Sequence, residues 1–251
     1  MKIIVAAFLL MTALPSDAQM APDSVPPETT GGHWERTNIS FGFSTYSGDQ
    51  DTAQLMSQVN STIEFGLLES DAIANIGLSH SEGQHLTNQE ELDWAFRRSW
   101  KLTNPWFLML HTWYEHDETA GIDFRGSIGP GFGVHAVDNK TMRVTLEGGI
   151  AATSEQQVHD QTYAAIFFNP SIRWQMNKKV TLQHKTNFIW NTRDHQDVRV
   201  YTQGDINFSV TQRVGVGVSF TIDFDNVPVA GHHKTDVQTA TNLTIALGKQ
   251  Q

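Results

Sequence analysis

Charged residues recur in this chain in stretches where polar and apolar side chains alternate. Glu64, Asp93, Arg97, Asp123, Arg125, Arg143, Glu147, Arg173, Lys185, Arg199, Asp205, Arg213 and Asp223 all take the polar places of such stretches. Both signs occur in nearly equal number, so the chemistry they offer is lateral ion pairing that neutralises a polar surface. Left unpaired, the same rows would select permeant ions by charge. The balance of signs favours pairing and predicts a mostly occluded polar interior.

Histidines form the second set. His80, His85, His116, His159, His195, His232 and His233 stand in polar connections beside Asp49, Asp51, Glu82, Glu90, Glu91, Asp117, Glu118, Asp160, Asp194, Asp197, Asp225 and Asp236. Imidazole suits transition metals and carboxylate suits magnesium or calcium. No spacing matches a closed metal site. Loose cation binding by His116, Asp117, Glu118, His232 and His233 is the metal chemistry this pattern offers, with solvated loop residues as the plainer account.

The remaining motifs are weaker. His184 and Thr186 lie two apart, on one face of a strand, and are the nearest approach to a base and a nucleophile. GPGFG at Gly129–Gly133 has no helix after it, so closely packed backbone near a rim explains it better than a phosphate cradle. A formal net charge of −10 with no basic patch argues against nucleic acid. No cofactor is implied.

The elements that must position these residues are strands. RVGVGVSFTIDFDN, from Arg213 to Asn226, puts Val214, Val216, Val218, Phe220, Ile222 and Phe224 at every second place. Period-2 alternation puts them on one face. Soluble strands run about 5 to 6 residues, whereas a tilted strand crossing a bilayer needs about 9 to 11. Twelve alternating segments can be marked from His33 onward. Ile39, Phe41 and Phe43 belong to the first, and Leu243, Ile245 and Leu247 to the last. The segment from Trp106 to Glu115 is apolar on both faces, and Pro170 interrupts the stretch from Tyr163 to Met176, so register over 104–117 and 160–176 is open. A bulge or bend is expected at Pro170. Trp34, Trp100, Trp106, Trp113 and Trp190 fall near segment ends, as residues of an interfacial girdle would.

The 251 residues contain no cysteine and are 39% hydrophobic. Past the start there is no run of about 20 apolar residues, the length a helical span needs. The opening MKIIVAAFLLMTALPSDA has Lys2, an apolar run and small residues at Ser16 and Ala18, the pattern of a signal peptide over 1–18. Residues 19–32, rich in Pro, Thr and Gly, read as a flexible leader. That leaves 33–251 as one domain.

Connections between the segments fall into two classes. SHSEGQHLTNQE, YEHDETAG, TSEQQVHDQT, NTRDHQDV and DNVPVAGHHKTDV are long and acidic and alternate with the short LLES, KLTNP, VDNK, MNKK and TQR. Outer-membrane barrels have short periplasmic turns and longer extracellular loops. The fold expected is therefore all-β: an antiparallel transmembrane β-barrel of twelve strands, with the acidic loops outside.

The run from Asp93 to Glu155, with its aromatic strand, the acidic loop after it, Arg125, and Gly129, Gly131 and Gly133, resembles the centre of the salt-induced outer-membrane protein family, domain of unknown function 481. A Trp-led first strand ending at Asp49 and an acidic loop before the last strand extend the resemblance across nearly all of 33–251. It implies export to the outer membrane of a Gram-negative cell. Outer-membrane lipid, lipopolysaccharide and the barrel-assembly machinery are the implied partners, with divalent cations as further candidates. Members of the family usually end on an aromatic residue, whereas this chain ends LTIALGKQQ, so either Leu247 substitutes within that signal or insertion is less efficient. The role expected is structural or small-solute and ion transport in the envelope, tied to salt or osmotic stress by the family label alone, and not enzymatic. Two alternatives stay open: an outer-membrane lipid-modifying enzyme using His184, and a soluble exported β-sandwich binding carbohydrate through its tryptophans.

Overall fold

The computed structural model describes residues 33–47, 52–65, 67–79, 87–99, 104–118, 120–156, 161–211 and 213–247. The signal-peptide and leader segments, Trp100, Asp49, Asp51, His80, Glu82, His85, His159 and Asp160 lie outside them, as do the side chains of Trp34 and Glu64. Twelve strands follow one another: β1 (His33–Ser47), β2 (Thr52–Phe65), β3 (Leu68–Ser79), β4 (Thr87–Ser99), β5 (Trp106–Asp117), β6 (Ile122–Asp138), β7 (Met142–Gln156), β8 (Gln161–Gln175), β9 (Val180–Asn191), β10 (Val198–Ser209), β11 (Val214–Asp225) and β12 (Thr235–Leu247). Each pairs antiparallel with its sequence neighbours, and β1 pairs with β12 from Thr37↔Leu247 to Ser47↔Val237. That last ladder closes the barrel and leaves no strand edge, the condition for a sheet to cross lipid.

Alternation decides which side chains meet lipid. Phe41, Phe43, Ile76, Phe96, Leu108, Phe132, Ile150, Phe168, Phe188, Val218, Phe220 and Leu243 are all exposed on the outer face. Monomeric soluble proteins seldom expose apolar patches beyond a few hundred Å². An apolar outer belt on a closed barrel overturns the β-sandwich alternative: no second sheet covers these side chains. Trp106, Trp174 and Trp190 stand exposed near strand ends. Trp113 does not join them. It is buried inside and points its indole Nε1 at Glu91, so β5 turns its odd-numbered residues inward.

The strands absorb much of what reads as loop. β4 begins at Thr87 and β5 runs to Asp117, so that 80–86 separate β3 from β4 in the sequence and 118–121 separate β5 from β6. We call the end carrying these and 192–197 and 226–234 the loop end; the end carrying 139–141, 176–179 and 210–213 is the turn end. Pro170 causes no shift: the β8–β9 register is the same at Phe168↔Phe188 and Ser171↔Lys185, and only Asn169 and Pro170 drop out of the ladder. The shifts lie on either side of β6, between Glu115 and Asp117 and between His135 and Val137.

Candidate functional site: the barrel interior

The lumen has two unlike halves. Between β4 and β9 buried side chains fill the lumen on the loop side of a turn-end chamber. Phe107, Met109, Phe167, Ala95 and Ala151 form one buried cluster, and Trp113, Tyr163, Ala165 and Ile189 form another. The glycines of β6 make room for the first. A Cβ on Gly133 would lie 2.4 Å from the Phe107 ring, and one on Gly131 would lie 2.9 Å from Phe167. GPGFG therefore seats aromatic rings inside the barrel rather than shaping its rim.

Ion pairs cross this half. Arg97 of β4 binds Glu69 at 2.8 Å, Asp71 and, from β7, Glu147. Its guanidinium lies over the Phe107 ring. Asp93 of β4 binds Lys185 of β9 at 2.7 Å and accepts from Asn187 at 3.0 Å, with His111 beside it at 3.3 Å. Nearer the loop end, Arg125 binds Glu115 at 3.1 Å, Glu155 at 3.3 Å and Asp225 at 3.0 Å. Arg199 shares Glu155 and Asp225 and also holds Asp197 at 3.0 Å. Tyr163 donates to Glu155. Just outside the strands, burial pushes the Asp197 carboxyl above its ordinary range while Arg199 pulls it down. Each of these charges has an opposite partner, as burial of ions requires.

At mid-depth the other half, β10–β12 and β1–β3, is lined by small and neutral polar side chains, with Glu91 of β4 at its edge. Ser40, Gly42, Gln58, Asn75, Gln203, Ser219, Thr221, Gln238, Ala240 and Asn242 surround a waist cavity of about 50 Å³. On the loop side it meets a cavity of about 30 Å³ with an acidic lining of Glu115, Asp117, Asp223 and Asp236. The two share Gln89, Glu91, Tyr201, Thr221 and Gln238. On the turn side Gln203 is common to the waist and to a chamber of about 230 Å³, where Arg143, Arg173, Lys185 and Asp205 stand. The three lie in series.

Of the residues singled out from sequence, Asp93, Arg97, Arg125, Arg143, Glu147, Lys185 and Arg199 enter the ion-pair network, and Arg173, Asp205 and Asp223 line cavities. Two do not face the lumen. One extra residue in β6 between Ile122 and Arg125 flips the alternation, so Ile122 is buried opposite Asp117 and Asp123 is exposed. Arg213 precedes β11 and is exposed at the turn end.

Among the described residues the loop histidines do not gather. His116 bonds the Asp123 carbonyl at 2.8 Å, whereas Asp117 is buried on the opposite face, where it accepts from Gln89. His232 lies against Gly121. Among the described residues no group of three or more His, Cys, Asp or Glu could hold a metal ion. His184 and Thr186 are on the outer face; the hydroxyl of Thr186 bonds Thr202 at 2.8 Å and His184 at 3.2 Å, and Thr186 is buried.

Sequence reading passed over Glu69, Asp71, Glu91, Glu115, Asp117, Glu155, Asp197, Asp225 and Tyr201 as lumen residues. Most continue a recognised row at the same parity. Glu91 precedes Asp93 by two, and Asp197 and Tyr201 flank Arg199 at the same interval.

The architecture is that of known porins. The NanC porin structure aligns over 83% of this chain and 100% of its own with a TM-score of 0.55 and 9% identity, a likeness of fold alone. The KdgM porin aligns over 83% and 98% with a TM-score of 0.49 and 7% identity. No curated protein matches the chain. The model of the family described as "Protein of unknown function, DUF481" matches residues 39–247, and the chain belongs to that family.

Proposed function

We propose that the protein is an outer-membrane conduit that passes water and small neutral polar solutes along the β10–β12, β1–β3 side of its lumen. It is a channel rather than an enzyme. The observation that carries this reading is the series of three cavities that adjoin at Glu91, Tyr201 and Gln203. Amides and hydroxyls at the waist replace hydration for an uncharged polar solute, while an ion gains little there to offset its dehydration. The acidic loop-end cavity repels anions.

The packed half fixes the cross-section. A waist of about 50 Å³ holds one or two waters at a time, since each fills about 30 Å³ in the liquid. Larger solutes are excluded unless the wall moves. The long apolar strands and the porin-like fold support placement in the outer membrane, and the sealed Thr186 hydroxyl gives a lipid-modifying site no support.

Liposome swelling with uncharged solutes of graded size tests this. Glycerol should enter, a disaccharide should not, and Ser219→Trp, which fills the waist, should slow glycerol. Equal entry of both solutes, or of neither, would refute the reading.

A further inference from the structure

Two connections from facing walls meet at the loop end. In the ring of twelve strands β11 stands opposite β5, and β12 stands opposite β6. The connection 226–234 therefore rises across the lumen from the connection 118–121. They nevertheless touch: a Cβ on Gly121 would lie 2.9 Å from His232 Nε2 and 3.4 Å from Val229 Cγ1. To reach the opposite wall, 226–234 lies across the mouth rather than standing up from it.

Beneath it is the acidic cavity of about 30 Å³. Asp117, which ends β5, lines this cavity from one wall, and Asp223 and Asp236, near the ends of β11 and β12, line it from the other. These are the roots of the two touching connections, so 226–234 passes above the cavity.

The root of 226–234 is tied down. The Asp225 amide donates to the Lys234 carbonyl at 2.9 Å, and Lys234 Nζ donates to Asn226 Oδ1 at 3.0 Å. The Asn226 side chain donates to the Gln196 carbonyl at 2.8 Å, and Arg125 and Arg199 both bind Asp225. The tip is built differently. Among the described residues positive φ occurs at Gly121 (70°) and Gly231 (97°) alone, in the region that glycine enters at no steric cost. At Gly121 bulk is barred as well, because the His232 ring occupies the space. At Gly231 an added Cβ would meet nothing within 4 Å, so that glycine serves the path of the backbone and not its packing.

We propose that the β11–β12 connection is a lid that closes the loop end of the lumen by landing on Gly121, and that solute enters the acidic cavity from this end when the tip lifts. The root stays in place, and Gly231, with free space around it, is the hinge. The purpose of the lid rests on the conduit reading; its position does not.

The chain has no cysteine, so one introduced thiol can report access. Asp223→Cys puts it in the acidic cavity, on the lid side of the waist. Detergent-purified protein is treated with a cationic methanethiosulfonate, whose thioalkyl group joins the thiol sulfur as a mixed disulfide while methanesulfinate leaves. In this background, replacing 227–232 by two glycines should speed labelling by about tenfold or more, since a cavity open about a tenth of the time reacts at about a tenth of the rate. Gly121→Asn should also speed it, because asparagine accepts positive φ while its side chain takes the place of the His232 ring. Heat-dependent gel mobility shows that each variant is folded. An unchanged labelling rate in either folded variant would overturn the lid and leave the swelling result untouched. Faster labelling in both, with no entry of glycerol into liposomes, would uphold the lid and refute the conduit.

Discussion

Tyr201 of β10 donates its hydroxyl to Glu91 of β4 at 2.8 Å, spanning the lumen, and Asn75 donates to the same carboxylate oxygen at 2.8 Å. This crossing lies where the acidic loop-end cavity meets the neutral waist. Removing it should loosen the path and strip a buried carboxylate of a donor. Tyr201→Phe is expected to lower stability by about 1–3 kcal/mol, read as the urea midpoint in detergent. It should also raise the glycerol swelling rate. A stable variant with unchanged swelling would mean that this bond does not limit passage.

Arg199 ties together Glu155, Asp197 and Asp225, all from different parts of the loop-end wall. Arg199→Met leaves these carboxylates short of their counter-charge, at a cost of about 3–5 kcal/mol for a broken buried pair. Adding Glu155→Gln should return part of that loss, because the two sites share one network. Strict additivity in urea unfolding would show that they act separately.

The glycine beneath Phe107 gives a packing test. Gly133→Ala places a methyl 2.4 Å from the Phe107 ring as it stands, and overpacking of this kind costs about 1–3 kcal/mol. Phe107→Leu in the Gly133→Ala background should be more stable than Gly133→Ala alone. If Gly133→Ala unfolds like the parent protein, the ring has room to move and the packed half is looser than described.

The outer belt predicts a depth dependence. Val218 is exposed in the middle of β11, and Thr235 opens β12 at the loop end. Val218→Arg should destabilise the lipid-inserted barrel by about 2–4 kcal/mol and Thr235→Arg by about 0–1, as for arginine at the bilayer midplane and near its interface. Equal effects in lipid vesicles would contradict a belt centred on Val218.

How much of this was legible in the sequence follows from what period-2 reasoning can carry. The alternation of Val214 to Phe224 survives intact as the outer row of β11, and Leu243 and Ile245 likewise face outward from β12. Parity placed Asp93, Arg97, Arg125 and Arg199 inside the barrel because a strand's alternation holds along its length. It failed at Asp123 because one inserted residue inverts a strand, and nothing in IDFRGS marks the insertion. It failed at Asp117 and Asp225 for another reason. A carboxylate in a polar stretch reads as solvated loop, and only the partners it finds inside, Gln89 for Asp117 and the guanidiniums of Arg125 and Arg199 for Asp225, show that the strand continues. The two halves of the lumen were invisible for want of pairing across the barrel: which wall Phe107 and Phe167 fill depends on β6 supplying glycines opposite them.

The central claim is that passage at the waist follows the wall of small polar side chains and that the packed clusters of β4–β9 stay closed. Glycerol-driven swelling of proteoliposomes, comparing the parent protein with Ser219→Trp in the waist and Ala151→Val in the packed cluster, tests it most directly. The account predicts glycerol entry that Ser219→Trp slows and Ala151→Val leaves unchanged. Entry indifferent to Ser219→Trp, or slowed only in Ala151→Val, would contradict it.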